Sequence, residues 1–535
     1  MTLAPELKFS LLDEGLIRYR TVAQGDTVFA SLPRLMAALA ANEVRDFPAL
    51  RPHQRHPWHA FLVQLAAIAL HDAGRLEPFG TEGEWRSALM ALTPDDADGA
   101  AWCLVSPPDR PALLQAPVPG GRIDDWKSVT VAADELDMLV TSKNHDLKAG
   151  RARRGEPEDW LFGLLSLQTQ EGFLGAGNYG ISRMNGGFAS RPGVGIASVG
   201  QWGSRWRRDV QALLATRERT AEARGLQGEK GLALVWLVPW DGLASLSFST
   251  LDPHYIEICR RVRLLSDGGV VRAIGTGTKA ARISSKELNG VTGDPWTPVE
   301  TEAGKALTIS AEGFHYKLVA ELLFGSKYQA AAAQDLSISQ VGERYVLIAQ
   351  GVTRGQGKTE GYHERRVPIS PKVRSLLLGQ QKASLARMST QRIAAIGEVR
   401  KLLWLALAVL FNNGAPGKDS SDSVKDKASE FSRPFERAED ARFFNDLNDE
   451  VEADDPSAQR LQWLRGLVER AAAVLTVAFD AGPRSAIQRY RAQAAALSRF
   501  HGALRGEKSP LPQLANYYRQ QSQIHTQQEE TRDHA

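Results

Sequence analysis

The sequence predicts an α+β protein in two parts: a large, irregular mixed α/β domain over residues 1–369, followed by a helical bundle over 370–520. In the first part, short strand-like and helical segments alternate with many Gly and Pro residues. After Pro371 glycine becomes sparse, and Ala, Leu, Arg and Gln dominate. A chain of 535 residues suggests about two to four domains. We expect the polar stretch 521–535 to be a frayed tail.

Several segments of the first part carry a regular pattern. Trp58–Asp72 is apolar almost all round at helical spacing, which is typical of a buried core helix. Gly231–Val238 and Ile258–Leu265 are rich in Val, Ile and Leu and predict strands. Arg344–Gln350 and His363–Ile369 flank a glycine-rich stretch, so they predict a hairpin with a long loop.

The second part carries three segments with apolar residues at helical spacing. They are Ile393–Asn412, Ala458–Ala478 and Ser485–Leu504. Gly and Pro residues at 414–417 and 482–483 break the pattern between them. Long helices separated by short breaks predict antiparallel packing in a bundle.

The composition is that of a globular protein without a membrane span. Hydrophobic residues make up 43% of the chain and charged residues 24%. The longest apolar run, Leu402–Phe411, is half of the roughly 20 residues that a span needs, and the N-terminus shows no secretory signal. Cys103 and Cys259 are far apart, which excludes a disulfide framework and fits a reducing compartment. We therefore expect a cytoplasmic protein with no membrane partner.

The most unusual segment, Gly172–Arg208, contains ten glycines, five arginines and no acidic residue. Glycine lets backbone amides approach a ligand closely, and unopposed arginine attracts polyanions. Gly175–Gly180 matches the dinucleotide motif G-x-G-x-x-G, but a helix-like segment precedes it where a strand is required, and the following acidic residue is missing. A loop that binds a nucleic-acid backbone is favoured over a purely structural glycine-rich loop.

Two further basic stretches could contact nucleic acid, although a solvated loop and a mobile hairpin tip are the respective alternatives. The first stretch carries five basic side chains: Lys143, Lys148, Arg151, Arg153 and Arg154. In the second, Arg354–Lys358, glycines separate Arg, Gln and Lys. A flexible loop with these side chains suits insertion into a groove or between base pairs. Residues 365–401 hold nine basic residues and one acidic residue, which predicts a positive face on the early bundle.

No segment predicts catalysis or metal binding. His53, His56 and His59 are three apart, but Pro57 interrupts the helix that would align them, so packing or polar capping is favoured. The acidic cluster Glu439–Asp455 lacks calcium-loop spacing and predicts a solvated helix face. The serine-hydrolase motif G-x-S-x-G, the zinc-protease motif H-E-x-x-H and the P-loop (Walker A) motif are missing. We expect no catalytic residue, no metal and no cofactor.

These segments, in this order, resemble CasA, the large subunit of the type I-E CRISPR Cascade complex, over nearly the whole chain. Gln168–Gly180, continuing to Asn185–Gly187, is similar to the family's glycine loop. Arg354-Gly-Gln356 ahead of Glu364-Arg365-Arg366 resembles the hairpin that carries the glutamine wedge. The C-terminal helices are similar to the family's four-helix bundle in place and length.

Other positions either support or depart from the resemblance. Asn289-Gly290, followed by Pro295 and Pro298, is similar to the strand and turn after the family's lysine finger. Some members carry a cysteine-rich zinc element that this sequence lacks, so no metal is carried over. Gly355 stands where some relatives have an Asn beside the wedge glutamine.

The resemblance implies that guide RNA pairing reads the target, while this subunit reads the short protospacer-adjacent motif on duplex DNA and starts strand opening. Reading would occur mainly in the minor groove, whose degenerate pattern tolerates several motif variants. Four residues of the glycine loop would lie closest to the groove: Gly175, Ala176, Gly177 and Asn178. A lysine, Lys279 or Lys286, would reach acceptors in the groove. Gln356 would wedge beneath the motif and unstack the first target pair.

The resemblance also implies the partners: CRISPR RNA, double-stranded target DNA, other Cascade subunits and a recruited helicase-nuclease in antiviral defence. The stretch Lys143–Arg154 would contact the guide's 5′ handle and a neighbouring subunit. Arg183, Arg354 and Lys358 would contact a nucleic-acid backbone, and the bundle would hold the displaced strand. Two other functions stay open. One is a structural scaffold that binds RNA and sister subunits without reading duplex DNA, and the other is a metal-dependent nuclease.

Overall fold

The computed structural model describes residues 7–137, 155–186, 191–267, 269–338, 344–355, 358–379, 381–416 and 420–533, with only the backbone of 358–360 and 524–533. The chain divides into two compact units. Unit 1 comprises Met1–Phe314 and Ser326–Val367, and unit 2 comprises His315–Gly325 and Pro368–Ala535. Unit 1 mixes helices with small sheets and unit 2 is helical, which confirms the α+β class.

The helices of unit 1 include one that is buried along most of its length. They are α1 Leu32–Ala40, α2 Arg55–Asp72, α3 Glu82–Ala91, α4 Ala133–Leu136, α5 Pro157–Gln170 and α6 Trp202–Arg224. Residues 56–70 of α2 are all buried, because α2 packs against α5, α6 and strand Leu251–Ile256. The core helix predicted at Trp58–Asp72 is therefore confirmed, with its start three residues earlier.

The strands of the chain form small sheets. They are β1 Lys8–Ser10, β2 Ile17–Thr21, β3 Thr27–Ala30, β4 Val44–Asp46, β5 Cys103–Val105, β6 Ser128–Thr130, β7 Gly193–Ser198, β8 Leu232–Leu234, β9 Leu246–Ser247, β10 Leu251–Ile256, β11 Arg261–Asp267, β12 Val270–Thr276, β13 Ile283–Ser284, β14 Val299–Glu300, β15 Lys305–Ala306, β16 Tyr328–Gln329, β17 Tyr345–Gly355 and β18 Lys358–Ile369. The three-stranded sheets have the orders β3-β2-β4, β11-β12-β6, β15-β14-β16 and β18-β17-β7. The strand predicted at Gly231–Val238 is only partly formed, since a 3-10 turn replaces it at Val235–Leu237.

The glycine-rich stretch 351–361 is mostly strand, so the long hairpin loop predicted there is wrong. β17 continues to Gly355 and β18 begins at Lys358. Thr353 lies across from the second strand, where its Oγ1 is 3.0 Å from His363 Nε2. Strand pairing overrides the local preference of glycine for loops, because β17 pairs with β18 and is held by β7 just before this stretch, over Tyr345–Gln350.

Histidines and charged residues are buried in the core of unit 1. His53 Nε2 lies 2.8 Å from an Asp137 carboxylate oxygen, and His59 Nε2 lies 2.8 Å from Asp209 Oδ2. His56 is buried beside the Trp296 ring. These contacts agree with the packing role that the sequence favours for the three histidines. Burial lowers the pKa of His59 to about 4, so its ring is neutral near neutral pH.

His254 is expected to make the folded chain less stable in mild acid. Its Nε2 donates to the Leu213 carbonyl at 3.0 Å, and burial lowers its pKa to about 4. The unfolded chain, with a histidine pKa of about 6.5, binds this proton first, so the free energy of unfolding falls by roughly 3 kcal/mol between about pH 6.5 and 4. The variant His254→Gln keeps a donor that does not titrate.

Urea unfolding of both proteins tests this expectation. From about pH 7 to about pH 5, wild type should lose about 2 kcal/mol of unfolding free energy relative to His254→Gln. A difference between the two proteins that stays constant with pH would show that His254 does not carry this proton linkage.

The described part of unit 2 consists mainly of helices, two of them short and the rest long. They are α7 Tyr316–Phe324, α8 Pro371–Leu378, α9 Lys382–Phe411, α10 Asp422–Glu452, α11 Pro456–Ala478, α12 Ala486–Arg505 and α13 Pro512–Asp533. The three helices predicted in the bundle are confirmed as α9, α11 and α12. Helical backbone is described through Asp533, and the fraying expected over 521–535 stays a prediction. None of the described helices is long and apolar enough to cross a bilayer.

Helix α7 belongs to unit 2 although its sequence lies within the first part of the chain. Asp440 Oδ1 accepts a hydrogen bond from the Tyr316 backbone N at 2.7 Å, and the Tyr316 and Phe443 rings lie 5.0 Å apart. Lys317 binds Glu436 at 2.8 Å. Local sequence does not predict this placement, because the partners of α7 lie about 120 positions further along the chain.

The acidic cluster of α10 is not a uniformly solvated face. Glu439 and Glu450 are buried and bind Arg470 and Arg392, respectively. The interpretation as a solvated face is therefore wrong for these two residues. The positive face predicted over 365–401 is reduced in the same way, because Arg392 points into the bundle and Arg400 binds Glu436.

Candidate nucleic-acid interface

The glycine loop is a tight turn that follows the end of α5. The Leu174 amide donates to the Asn178 carbonyl at 2.9 Å, and the Asn178 amide donates to the Gly175 carbonyl at 3.0 Å. Gly175 and Gly177 have φ angles of 118° and 87°, in the region that favours glycine. The sequence therefore needs glycine at these two places to close the turn.

The turn presents its backbone to solvent. Ala176 and Asn178 are exposed, and Gly175 and Gly177 are partly exposed. Two large apolar side chains flank the turn, since Phe173 and Leu174 are 38% and 43% exposed. The four residues predicted to lie closest to DNA thus form one accessible surface, which we call the glycine turn (Gly175–Asn178).

The segment after β12 supports the glycine turn and brings Lys279 beside it. The Thr278 amide donates to the Gly177 carbonyl at 3.0 Å, and the Tyr179 hydroxyl donates to the Lys279 carbonyl at 3.2 Å. The Lys279 amide is itself held by the Gly242 carbonyl at 2.7 Å. The Lys279 side chain is exposed. The backbone of an exposed lysine is therefore held next to an exposed backbone turn.

Lys286 is also exposed, but it lies elsewhere on unit 1. It begins a 3-10 turn, Lys286–Leu288, that ends at Asn289 in the left-handed region. The following Gly290 packs against the backbone of Met184 and Asn185. The structure thus places Lys279 at the glycine turn and Lys286 at a later part of the glycine-rich segment.

Arg183 does not present its charge to a ligand. Its side chain is 1% exposed, its guanidinium donates to the Tyr255 carbonyl at 2.8 Å, and it lies 3.8 Å from the Glu257 carboxylate. Arg191 is similarly buried against Asp294 at 2.8 Å. The predicted backbone contact of Arg183 is wrong for this structure, because an acidic partner from a distant segment neutralises it.

Arg354 is also buried, with 1% of its side chain exposed, and it binds Glu171. From this position its guanidinium cannot reach a phosphate, so the predicted backbone contact of Arg354 is wrong as well. Glu171 is the C-cap that follows the last residue of α5, and its Oε1 also accepts the Gly172 amide at 3.0 Å. Burial raises the pKa of Glu171, and the Arg354 charge opposes that rise.

Several predicted residues lie outside the described part of the chain. They are Lys143, Lys148, Arg151, Arg153, Arg154 and Gln356. Only the backbone of Lys358 is described, as the first residue of β18. Their predicted contacts with nucleic acid stay predictions.

Sequence reasoning missed two residues that hold the glycine loop. Arg260 donates to the Gly172 carbonyl at 2.8 Å and also to the Tyr179 carbonyl, so it spans the neck of the loop. Glu171 anchors the first amide of the loop from the other side. Arg260 belongs to no motif, and Glu171 lies within Gln168–Gly180 without a predicted role. The only signal for Glu171 is its position at the junction of the helix and the glycine-rich segment.

Comparison with known proteins identifies the fold. No protein-family model and no curated protein matches the chain. Among solved structures, CRISPR-associated protein Cse1 from Acidimicrobium ferrooxidans has a TM-score of 0.63 at 16% identity, covering 96% of this chain and 99% of its own. CasA (Cse1) of Thermus thermophilus has a TM-score of 0.61 at 16% identity, with coverages of 93% and 99%.

A third structure extends the comparison to another organism. Cse1 of Thermobifida fusca has a TM-score of 0.61 at 13% identity, covering 95% of this chain and 98% of its own. All three matches span both units of the chain rather than one domain. Over nearly its whole length, this chain has the fold of the CasA (Cse1) CRISPR-associated proteins, which confirms the resemblance at the level of the fold.

Proposed function

We propose that this chain is the large, non-catalytic subunit of a CRISPR RNA-guided surveillance complex. It recognises the protospacer-adjacent motif on duplex DNA, initiates strand opening and helps to recruit a helicase-nuclease. The observation that carries the proposal is the exposed glycine turn, beside which hydrogen bonds hold the backbone of Lys279. The chain that bears this turn has the CasA fold. Its partners are CRISPR RNA, target DNA and other subunits of the complex.

The glycine turn suits the minor groove for a physical reason. A turn without large side chains at its tip brings backbone amides close to groove acceptors, and an adjacent ammonium group adds a donor with a charge that phosphates attract. We assign the lysine finger to Lys279 because its backbone is bonded to Tyr179 of the loop. Gln356 is assigned to the wedge that unstacks the first target pair.

Exchange of each lysine for alanine tests the assignment. In a guide-loaded complex, Lys279→Ala should raise the Kd for a duplex with a permissive motif by about tenfold, through loss of a groove contact of about 1–3 kcal/mol. Lys286→Ala, the matched control, removes an equally exposed charge and should change the Kd by less than about twofold. The reverse order of effects would move the lysine finger to Lys286. Equal, small changes in Kd for the two variants would show that neither lysine contributes to motif recognition.

A further inference from the structure

A buried ion pair connects the root of the glycine loop to the hairpin of β17 and β18. Glu171 is the C-cap of helix α5, and Arg354 is the second-last residue of β17. Their side chains are 3% and 1% exposed, respectively, and the Arg354 guanidinium donates to Glu171 Oε1. The two residues are 183 positions apart in the sequence. The pair is therefore a long-range link within unit 1.

The same carboxylate oxygen also fixes the start of the glycine loop. Glu171 Oε1 accepts the Gly172 amide at 3.0 Å, and the Glu171 carbonyl accepts the Ile181 amide at 3.0 Å, which closes the neck of the loop. Arg260 holds the Gly172 carbonyl from another direction at 2.8 Å. The first residue of the loop is therefore fixed on both its N–H and its carbonyl. Any shift of the Glu171 carboxylate must move the Gly172 amide.

Loss of Arg354 would shift that carboxylate. A buried carboxylate without its cation is strongly unfavourable, so it would turn toward water or take up a proton. Removal of both charges avoids this penalty, because two uncharged side chains of similar shape pack without an uncompensated charge. The double variant therefore removes the link between α5 and β17 without the loss of stability that an unpaired buried charge would cause.

We propose that Glu171 and Arg354 are positioning residues, through which strand β17 sets the conformation in which the glycine turn meets DNA. The proposal rests on the proposed function and adds a role for a strand that contributes no side chain to the turn itself. It also explains why an arginine beside the hairpin end points inward rather than toward a phosphate.

The test compares motif discrimination with stability. Discrimination is the ratio of Kd values for guide-matched duplexes with non-permissive and permissive motifs, measured with the assembled complex. The double variant Glu171→Gln/Arg354→Met keeps an acceptor for the Gly172 amide but loses the link to β17. We expect its thermal unfolding to stay close to that of wild type and its discrimination to fall by at least about fivefold.

A second buried pair supplies the matched control. Arg217 binds Asp252 at 3.0 Å in the same unit, and both side chains are about as buried as the proposed pair. Arg217→Met/Asp252→Asn should leave discrimination unchanged. Unchanged discrimination in the folded Glu171→Gln/Arg354→Met variant would overturn the proposal, as would an equal loss in the control.

Single variants decide the question if the double variant does not fold. Arg354→Met removes the cation, so we expect this variant to lose motif discrimination. Arg354→Lys keeps a cation at the same position, so we expect it to retain discrimination. Loss in both variants, or in neither, would contradict it. A wild-type complex that shows no discrimination at all would refute the proposed function itself, which is a different result from the failure of the link.

Discussion

Gly177→Asp is expected to weaken motif-dependent DNA binding by at least about tenfold while the complex still assembles. Gly177 has a φ of 87°, so any side chain there is strained, and an aspartate adds a negative charge to a surface that is proposed to face phosphates. A Cβ at this position would meet its nearest neighbour at 3.7 Å, an ordinary contact. The chain should therefore still fold.

Two control variants separate the causes of this loss. Gly177→Asn has almost the same size, tolerates the left-handed region and carries no charge, so we expect a smaller loss than with Asp. Gly74→Asp introduces the same charge at a φ of 64° at the end of α2, with no atom within 4 Å of the added Cβ. It should leave the Kd within about twofold. Failure of Gly177→Asp to assemble into the complex would instead make the turn a structural element.

Arg392→Ala is expected to lower the free energy of unfolding by roughly 3 kcal/mol, the lower end of the cost of breaking a buried ion pair, because Glu450 keeps Arg460 at 3.6 Å. The Arg392 side chain is 0% exposed, donates to Glu450 at 2.7 Å and to the Asp446 carbonyl at 2.7 Å, and its guanidinium lies over the Trp463 ring. It thus joins α9 to both α10 and α11 of the bundle.

Urea denaturation of the full chain measures this effect. Arg400→Ala on the same helix is the matched control, because its ion pair with Glu436 is 49% exposed on the arginine side and should be worth at most about 1 kcal/mol. Equal losses in the two variants would show that the buried pair does not hold the bundle together. Arg392→Met should be milder than Arg392→Ala, since Met keeps part of the packing on Trp463.

The fold class and the place of the glycine turn could be predicted because both depend on local sequence. A helix that is apolar all round is buried wherever it packs, and a run of glycines without acids marks a backbone-exposing segment. The hairpin strands could not be predicted in full. Their glycines favour a loop locally, whereas the strand depends on pairing of β17 with β18 and, over Tyr345–Gln350, with β7 about 150 positions away.

The arginines of the candidate site show that the exposure of a charged side chain cannot be predicted from its neighbours in the sequence. Arg183 and Arg191 stand in a segment without acids, and the acid nearest to Arg354 in the sequence is six positions away at Glu360, so the sequence predicts exposed positive charge. Each is buried against an acid from a distant segment, and the separation reaches 103 positions for Arg191 and 183 for Arg354. Such pairs follow from tertiary packing, which the spacing of residues along one segment does not encode.

The proposed function requires that this chain gives a guide-loaded complex its preference for a motif beside the target. The most direct test measures duplex binding by the complex with and without the chain, on guide-matched targets flanked by a randomised short motif at fixed salt. The proposal predicts that the chain adds binding only to duplexes with permissive motifs. The same affinity and the same motif preference without the chain would contradict it and would favour a scaffold that binds RNA and sister subunits.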